Sequence, residues 1–152
     1  MAALQRAFAT EFSDVRTVLA SGNVVFSAPP ATETALARRA EAAMTKHLGK
    51  SFFTIVRSVE SLQKLLASDP YAGHKLRPGS KCVVTFLARK PKTKPKFPIQ
   101  EAGARLLAGS AAEVFTAYVP GPDGPVFMRL LERTFGKDIT TRSWDTVSKV
   151  AK

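Results

Sequence analysis

One cysteine, one tryptophan and two histidines are all that the 152 residues contain of those types. The lone Cys82 excludes a disulfide framework and a multi-cysteine zinc site. With His47 and His74 as its only imidazoles, and no second ligand at i, i+4 spacing from either, the chain offers little for a metal of the common types. No apolar run approaches the roughly 18–20 residues that a membrane-spanning helix needs. There is no P-loop, no Gly-x-Gly-x-x-Gly and no Gly-x-Ser-x-Gly, so three common phosphate-binding and nucleophile signatures are missing. Hydrophobic residues make up 45% and charged residues 23%, which excludes collagen-like, fully disordered and coiled-coil chains. The length suits one domain, or two very small subdomains.

Acid is missing from one long stretch. Between Asp69 and Glu101 no Asp or Glu occurs, while Lys75, Arg77, Lys81, Arg89, Lys90, Lys92, Lys94 and Lys96 all do. The rest of the chain holds 15 basic and 12 acidic residues, so the net charge of +11 is largely local. Its densest part is Arg89-Lys-Pro-Lys-Thr-Lys-Pro-Lys96. Pro91 and Pro95 keep that piece out of a helix interior, which predicts a loop with its charges splayed into water. Such a loop can hold phosphates by releasing their counterions. The plainer reading is a solubilising surface loop. Phe97 is the only aromatic near it, which argues against a stacking platform there.

The first twelve residues lack the basic start, apolar stretch and small-residue cleavage site of a secretory signal. Leu4, Phe8 and Phe12 recur every four residues and predict an amphipathic helix. With the lone cysteine, this leads us to expect a cytoplasmic protein.

Alternation over 15–19 predicts a strand, Ser21-Gly22-Asn23 a tight turn, and Val24-Val-Phe26 a second strand. Thr32 is placed to cap a helix whose apolar stripe is Leu36, Ala40, Met44 and Leu48, with Gly49 as its stop. The run Phe-Phe-Thr-Ile-Val over 52–56 predicts a strand. Ser58 caps a short helix that Asp69-Pro70 ends. The run 82–87 is apolar on both faces and predicts a central strand. Residues 102–107 suggest a short helical turn, and 114–119 a strand. Pro125 opens a helix burying Phe127, Leu130 and Leu131, residues 139–142 are extended, and Ser143 or Asp145 caps a terminal helix. The class is α+β with mostly antiparallel sheet. The expected division is a subdomain over 1–72 and a second over 73–152 that carries the basic loop 89–96. The opening order α-β-β-α-β is that of a ferredoxin-like βαββαβ unit without its first strand.

The segment Asp14-Val-Arg-Thr-Val-Leu-Ala-Ser-Gly-Asn-Val-Val-Phe26 resembles the most recognisable stretch of a bacterial family catalogued as domain of unknown function 1697. Thr140-Thr-Arg-Ser-Trp-Asp-Thr-Val-Ser-Lys149 resembles that family's closing motif, and Val56-Arg57 before a short helix fits in position. The resemblance implies a two-part α+β architecture whose first part is ferredoxin-like, and it brings no established activity. Members of that family begin with a strand and an Arg-Gly-Ile-Asn-Val-Gly-Gly segment that has no counterpart here. A homo-oligomer would follow if that strand were replaced in trans. Ser143 and Asp145 flank Trp144 where the family carries Asn on both sides.

Two sets of candidate residues emerge. Ser21, Asn23, Arg142, Trp144 and Asp145 bring together a hydroxyl, an amide, a forked cation, a flat ring and a carboxylate, as a ligand pocket between the two halves would need. The structural alternative makes Ser21-Gly22-Asn23 plain hairpin chemistry, Trp144 core, Arg142 surface and Asp145 a helix cap. Arg89, Lys90, Lys92, Lys94 and Lys96 form the polyanion-binding set. Cys82 reads as an inert buried thiol and both histidines as surface residues. No catalytic residue, cofactor or metal is implied. The leading expectation is a small cytoplasmic, non-enzymatic module that holds nucleic acid or another polyanion. The alternative is a small-ligand protein or enzyme using the pocket set.

Overall fold

The computed structural model describes residues 2–18, 22–50, 52–76, 78–88, 96–101, 103–110, 112–120 and 126–151. The fold is α+β, with five helices and seven strands among the described residues. The chain divides into two compact units, Met1–Gln63 with Ser148–Lys152, and Lys64–Val147.

In the first unit, α1 (Ala2–Ala9) leads into β1 (Ser13–Val18) and β2 (Asn23–Ser27), which pair antiparallel, and then into α2 (Glu33–Leu48). Phe8 and Phe12 are buried with Ala40 and Met44 of α2, and Leu4, Val15, Val24 and Phe26 pack around them. The Phe12 and Phe26 rings stack with centroids 4.0 Å apart. The four-residue stripe at the start of the sequence is therefore the seed of this core. Thr32 caps α2, its hydroxyl accepting the Ala35 N–H at 3.1 Å. Gly49 ends the helix at φ +77°, a left-handed conformation that glycine adopts without cost.

The strand expected over 52–56 is not formed: residues 52–58 carry neither helix nor strand. Aromatic and β-branched side chains favour a pleated, half-buried surface, but a strand also needs a neighbour to bond. No such neighbour pairs with this run among the described residues, and Phe52 and Phe53 stay about half exposed, at 52% and 50%. The chain then enters α3 (Val59–Ser68), capped by Ser58, whose hydroxyl accepts the Ser61 N–H at 3.1 Å.

The second unit is built on one five-stranded antiparallel sheet of order β4-β5-β6-β3-β7. Its strands are β3 (Lys81–Leu87), β4 (Ile99–Glu101), β5 (Ala104–Gly109), β6 (Glu113–Tyr118) and β7 (Ile139–Ser143). As expected from its doubly apolar sequence, β3 lies inside the sheet, between β6 and β7. Helix α4 (Val126–Phe135) covers one face: Phe127, Leu130 and Leu131 pack with Val83, Leu87, Ala104, Leu106 and Val114. The chain ends in α5 (Trp144–Val150), which follows β7 directly.

The helical turn expected over 102–107 is instead a β-hairpin of β4 and β5, turning at Gly103 with φ +88°. Adjacent Leu106 and Leu107 are both buried, at 0% and 3%, which breaks strand alternation. A register shift between Leu106 and Ala108 is the reason. The bulge re-aims successive side chains, so both leucines can be covered.

Candidate functional site

The basic block is divided by the topology of the second unit. Lys81 opens β3 opposite Tyr118, and Lys75 lies in the loop before it. Lys96 precedes β4 at the other end of the sheet, where β3 leaves and β6 and β7 begin. Seven strand residues separate the two ends, a span of roughly 20 Å at the usual rise of a strand. Lys75, Lys81 and Lys96 are all exposed. Lys137, which the sequence reading passed over, is exposed just before β7 and joins Lys96 at the same end. Arg89, Lys90, Lys92 and Lys94 lie outside the described residues.

Phe97, just after Lys96, is seated against β5. A Cβ on Gly109 would meet its ring at 2.8 Å, so the absence of a side chain on β5 is what admits the ring. Acid is present at this end too. Glu113 accepts a hydrogen bond from the Ser110 hydroxyl at 3.0 Å, and Asp138 accepts the Ala88 N–H on its main-chain carbonyl.

The second candidate set is only partly brought together. Register places Arg142 opposite Val84, which Phe115 flanks on its other side, on the sheet face away from α4. Trp144 follows two residues later and meets Tyr71 and Phe115 edge-on, with centroids 5.1 and 6.4 Å away. Tyr71 also meets Phe115 edge-on at 5.9 Å. Arg142 is half-buried, and burial pulls its guanidinium below the ordinary arginine range. Its Nη1 donates to the Thr141 carbonyl at 3.0 Å. Trp144 is thus half core, as the structural alternative held, whereas Arg142 is more enclosed than a surface residue.

Asp145 is exposed and stands in the first turn of α5, but it does not cap the helix. Ser143 does: its hydroxyl accepts the Thr146 N–H at 3.1 Å and pairs with the Thr146 hydroxyl at 2.8 Å. A carboxylate two positions further in still lies well against the positive end of the helix dipole.

Cys82 shares the Arg142 face, one residue from Val83 on β3. Burial pushes its thiol upward, away from the thiolate that a nucleophile requires. Tyr71, which sequence reasoning missed altogether, is the centre of this region. It is 8% exposed, and its hydroxyl donates to the Val83 carbonyl. Burial, and then the neighbouring Cys82, push its phenol well above the ordinary tyrosine range. On the same face Arg105 of β5 donates from Nη1 to the Lys75 carbonyl at 2.6 Å, tying the basic stretch before β3 to the sheet.

In the first unit, Asn23 opens β2, and its Nδ2 donates to the Val18 carbonyl at 3.1 Å, closing the hairpin. That is the turn chemistry of the structural alternative. Ser21 lies outside the described residues. Asn23 belongs to the first unit, and Arg142, Trp144 and Asp145 to the second. Among the described residues no group of three or more His, Cys, Asp or Glu side chains gathers to hold a metal ion. No helix of the described residues is long and apolar enough to cross a membrane.

No curated protein and no solved structure matches the chain. A family match covers residues 1–105, which contain the Asp14 to Phe26 segment and the basic loop and stop short of the Thr140 to Lys149 segment. The chain belongs to the family described as "Protein of unknown function (DUF1697)".

Proposed function

We propose that this chain is a small cytoplasmic, non-enzymatic module that holds a polyanion, nucleic acid above all, through the basic end of its second unit. The observation that carries the reading is the acid-free run from 70 to 100 with its eight cations. Five of them, from Arg89 to Lys96, fall in the connection that follows β3 and precedes β4. Lys137 adds a sixth cation at that end. Binding of this kind draws on counterion release, so it is tolerant of sequence and weakens with salt. The cations at Lys75 and Lys81, about a strand's length away, play a smaller part.

A second reading, a small-ligand or enzymatic site, draws on the half-buried Arg142, two residues before the Trp144 that meets Tyr71. A desolvated guanidinium favours an anionic group such as a carboxylate or phosphate. We also read the order α1-β1-β2-α2 as part of a ferredoxin-like unit. The experiment that separates the functional readings is a fluorescence-anisotropy titration with RNA, DNA and heparin at low and physiological salt. Micromolar or tighter binding that fades with salt supports the polyanion module. No binding of any of the three at low salt rejects it and moves the weight to Arg142.

A further inference from the structure

The first unit holds what the basic loop lacks. Phe52 and Phe53 are the large hydrophobic side chains left exposed among the described residues, and they are adjacent. They fall in a second acid-free stretch, from 42 to 59, which contains Lys46, Lys50 and Arg57. Gly49 turns the chain out of α2 at φ +77°, and the Lys50 ammonium comes to lie 5.4 Å from the centroid of the Phe52 ring. Lys46, in the last turn of α2, and Lys50 are both exposed. Arg57 is engaged with Glu33 at 3.9 Å and is not counted here. The Thr54 hydroxyl donates to the Phe52 carbonyl at 2.8 Å and steadies the backbone that presents the ring.

We propose that Phe52 and Phe53, with Lys46 and Lys50, form a stacking platform for the unpaired bases of single-stranded nucleic acid. The inference rests on the polyanion reading and names the class of polyanion. Exposed rings beside cations are the pairing such strands require: bases lie on the rings and phosphates meet the ammonium groups. A duplex keeps its base faces stacked inside and cannot use the rings. The absence of acid from the stretch favours a polyanion over a protein partner of ordinary mixed charge. In the second unit Tyr71, Phe115 and Trp144 are committed to one another, and Tyr118 to Phe127, stacked at 4.2 Å.

The test uses the full chain, fluorescein-labelled oligo(dT) and oligo(U), a mixed-sequence duplex and heparin. The variants are the Phe52→Ala/Phe53→Ala, Phe52→Leu/Phe53→Leu and Phe52→Tyr/Phe53→Tyr pairs, each checked for wild-type circular dichroism. The alanine pair is expected to weaken single-strand binding by on the order of tenfold or more while leaving duplex and heparin binding unchanged. The leucine pair should behave like alanine, and the tyrosine pair like the wild type. Equal single-strand affinity of the alanine pair and the wild type overturns the platform. So does a leucine pair as good as phenylalanine, which would show an apolar contact rather than stacking. An alanine pair that instead turns an oligomer into a monomer, with binding unchanged, also overturns it. Each of these leaves the polyanion reading standing, whereas a wild-type chain that binds no probe at low salt rejects both.

Discussion

The Tyr71 hydroxyl donates to the main-chain carbonyl of Val83 at 2.5 Å, so a loop side chain is bonded to β3, an interior strand of the sheet. The two are twelve positions apart in sequence, and the chain between them carries Lys75 in the loop and Lys81 at the start of β3. The bond therefore fixes where the front of the basic block begins, and Arg105 fixes it a second time through the Lys75 carbonyl.

Tyr71→Phe should cost about 1–2 kcal/mol, the value of a buried hydrogen bond whose acceptor stays behind. The variant should also change the pH dependence. The folded-state pKa of Tyr71 is raised above its unfolded value near 10. Its neutral form is the one that fits the fold, so its stabilisation is complete below pH 10. It is lost as pH rises further, because the unfolded chain ionises first. Cys82 is shifted the same way and adds to the loss above about pH 9. Urea unfolding at pH 8 and pH 11 should show a larger drop for the wild type than for Tyr71→Phe. Equal drops would mean that the phenol is not enclosed.

Two buried threonines on the α4 face should respond in opposite ways. Thr85 and Thr116 are both fully buried. The Thr85 hydroxyl pairs with that of Thr141 at 2.7 Å, and the Thr116 hydroxyl has no partner among the described residues. Removing one of a bonded pair leaves the other unsatisfied, whereas removing an unbonded hydroxyl relieves a desolvation cost. Thr85→Val should lower stability by about 1–2 kcal/mol, and Thr116→Val should be neutral or raise it by about 1 kcal/mol. Thermal unfolding of both variants checks this; a destabilised Thr116→Val would contradict it.

Much of the fold was legible because its signals are local. Thr32, Ser58 and Gly49 each bound a helix terminus through their own side chain or backbone freedom, and the structure uses all three as expected. The interior position of β3 was equally plain, since only a strand covered on both faces can be apolar on both. Two elements were misread, for different reasons. The β5 bulge spoils the period-2 pattern that identifies a strand. The 52–56 run has strand composition, but pairing is a property of the neighbours and not of the segment. The site was less legible still. Tyr71 sits in a loop with no motif around it, and its role comes from Val83, Phe115 and Trp144 meeting it in space.

Gly109 should not tolerate a side chain. Its Cβ position lies 2.8 Å from the Phe97 ring and 3.4 Å from the Glu113 carbonyl. Gly109→Val should cost about 1–3 kcal/mol by overpacking. It should also displace Phe97, and with it the adjacent Lys96. Chemical denaturation measures the first effect. The second should appear as a weakened polyanion affinity even where the chain remains folded, and unchanged affinity in a folded variant would show that the seat of Phe97 does not matter.

The most direct measurement of the central claim is the salt dependence of polyanion binding, comparing the wild type with a chain in which Lys90, Lys92, Lys94 and Lys96 are replaced by Gln. If those four lysines each meet a phosphate of a duplex, the slope of log affinity against log salt should fall in magnitude by about 3 to 4, close to 0.9 per contact. Replacing Lys75 and Lys81 should change it less. A four-lysine variant with the affinity and slope of the wild type would contradict the account, and would leave the charge of this loop as a matter of solubility.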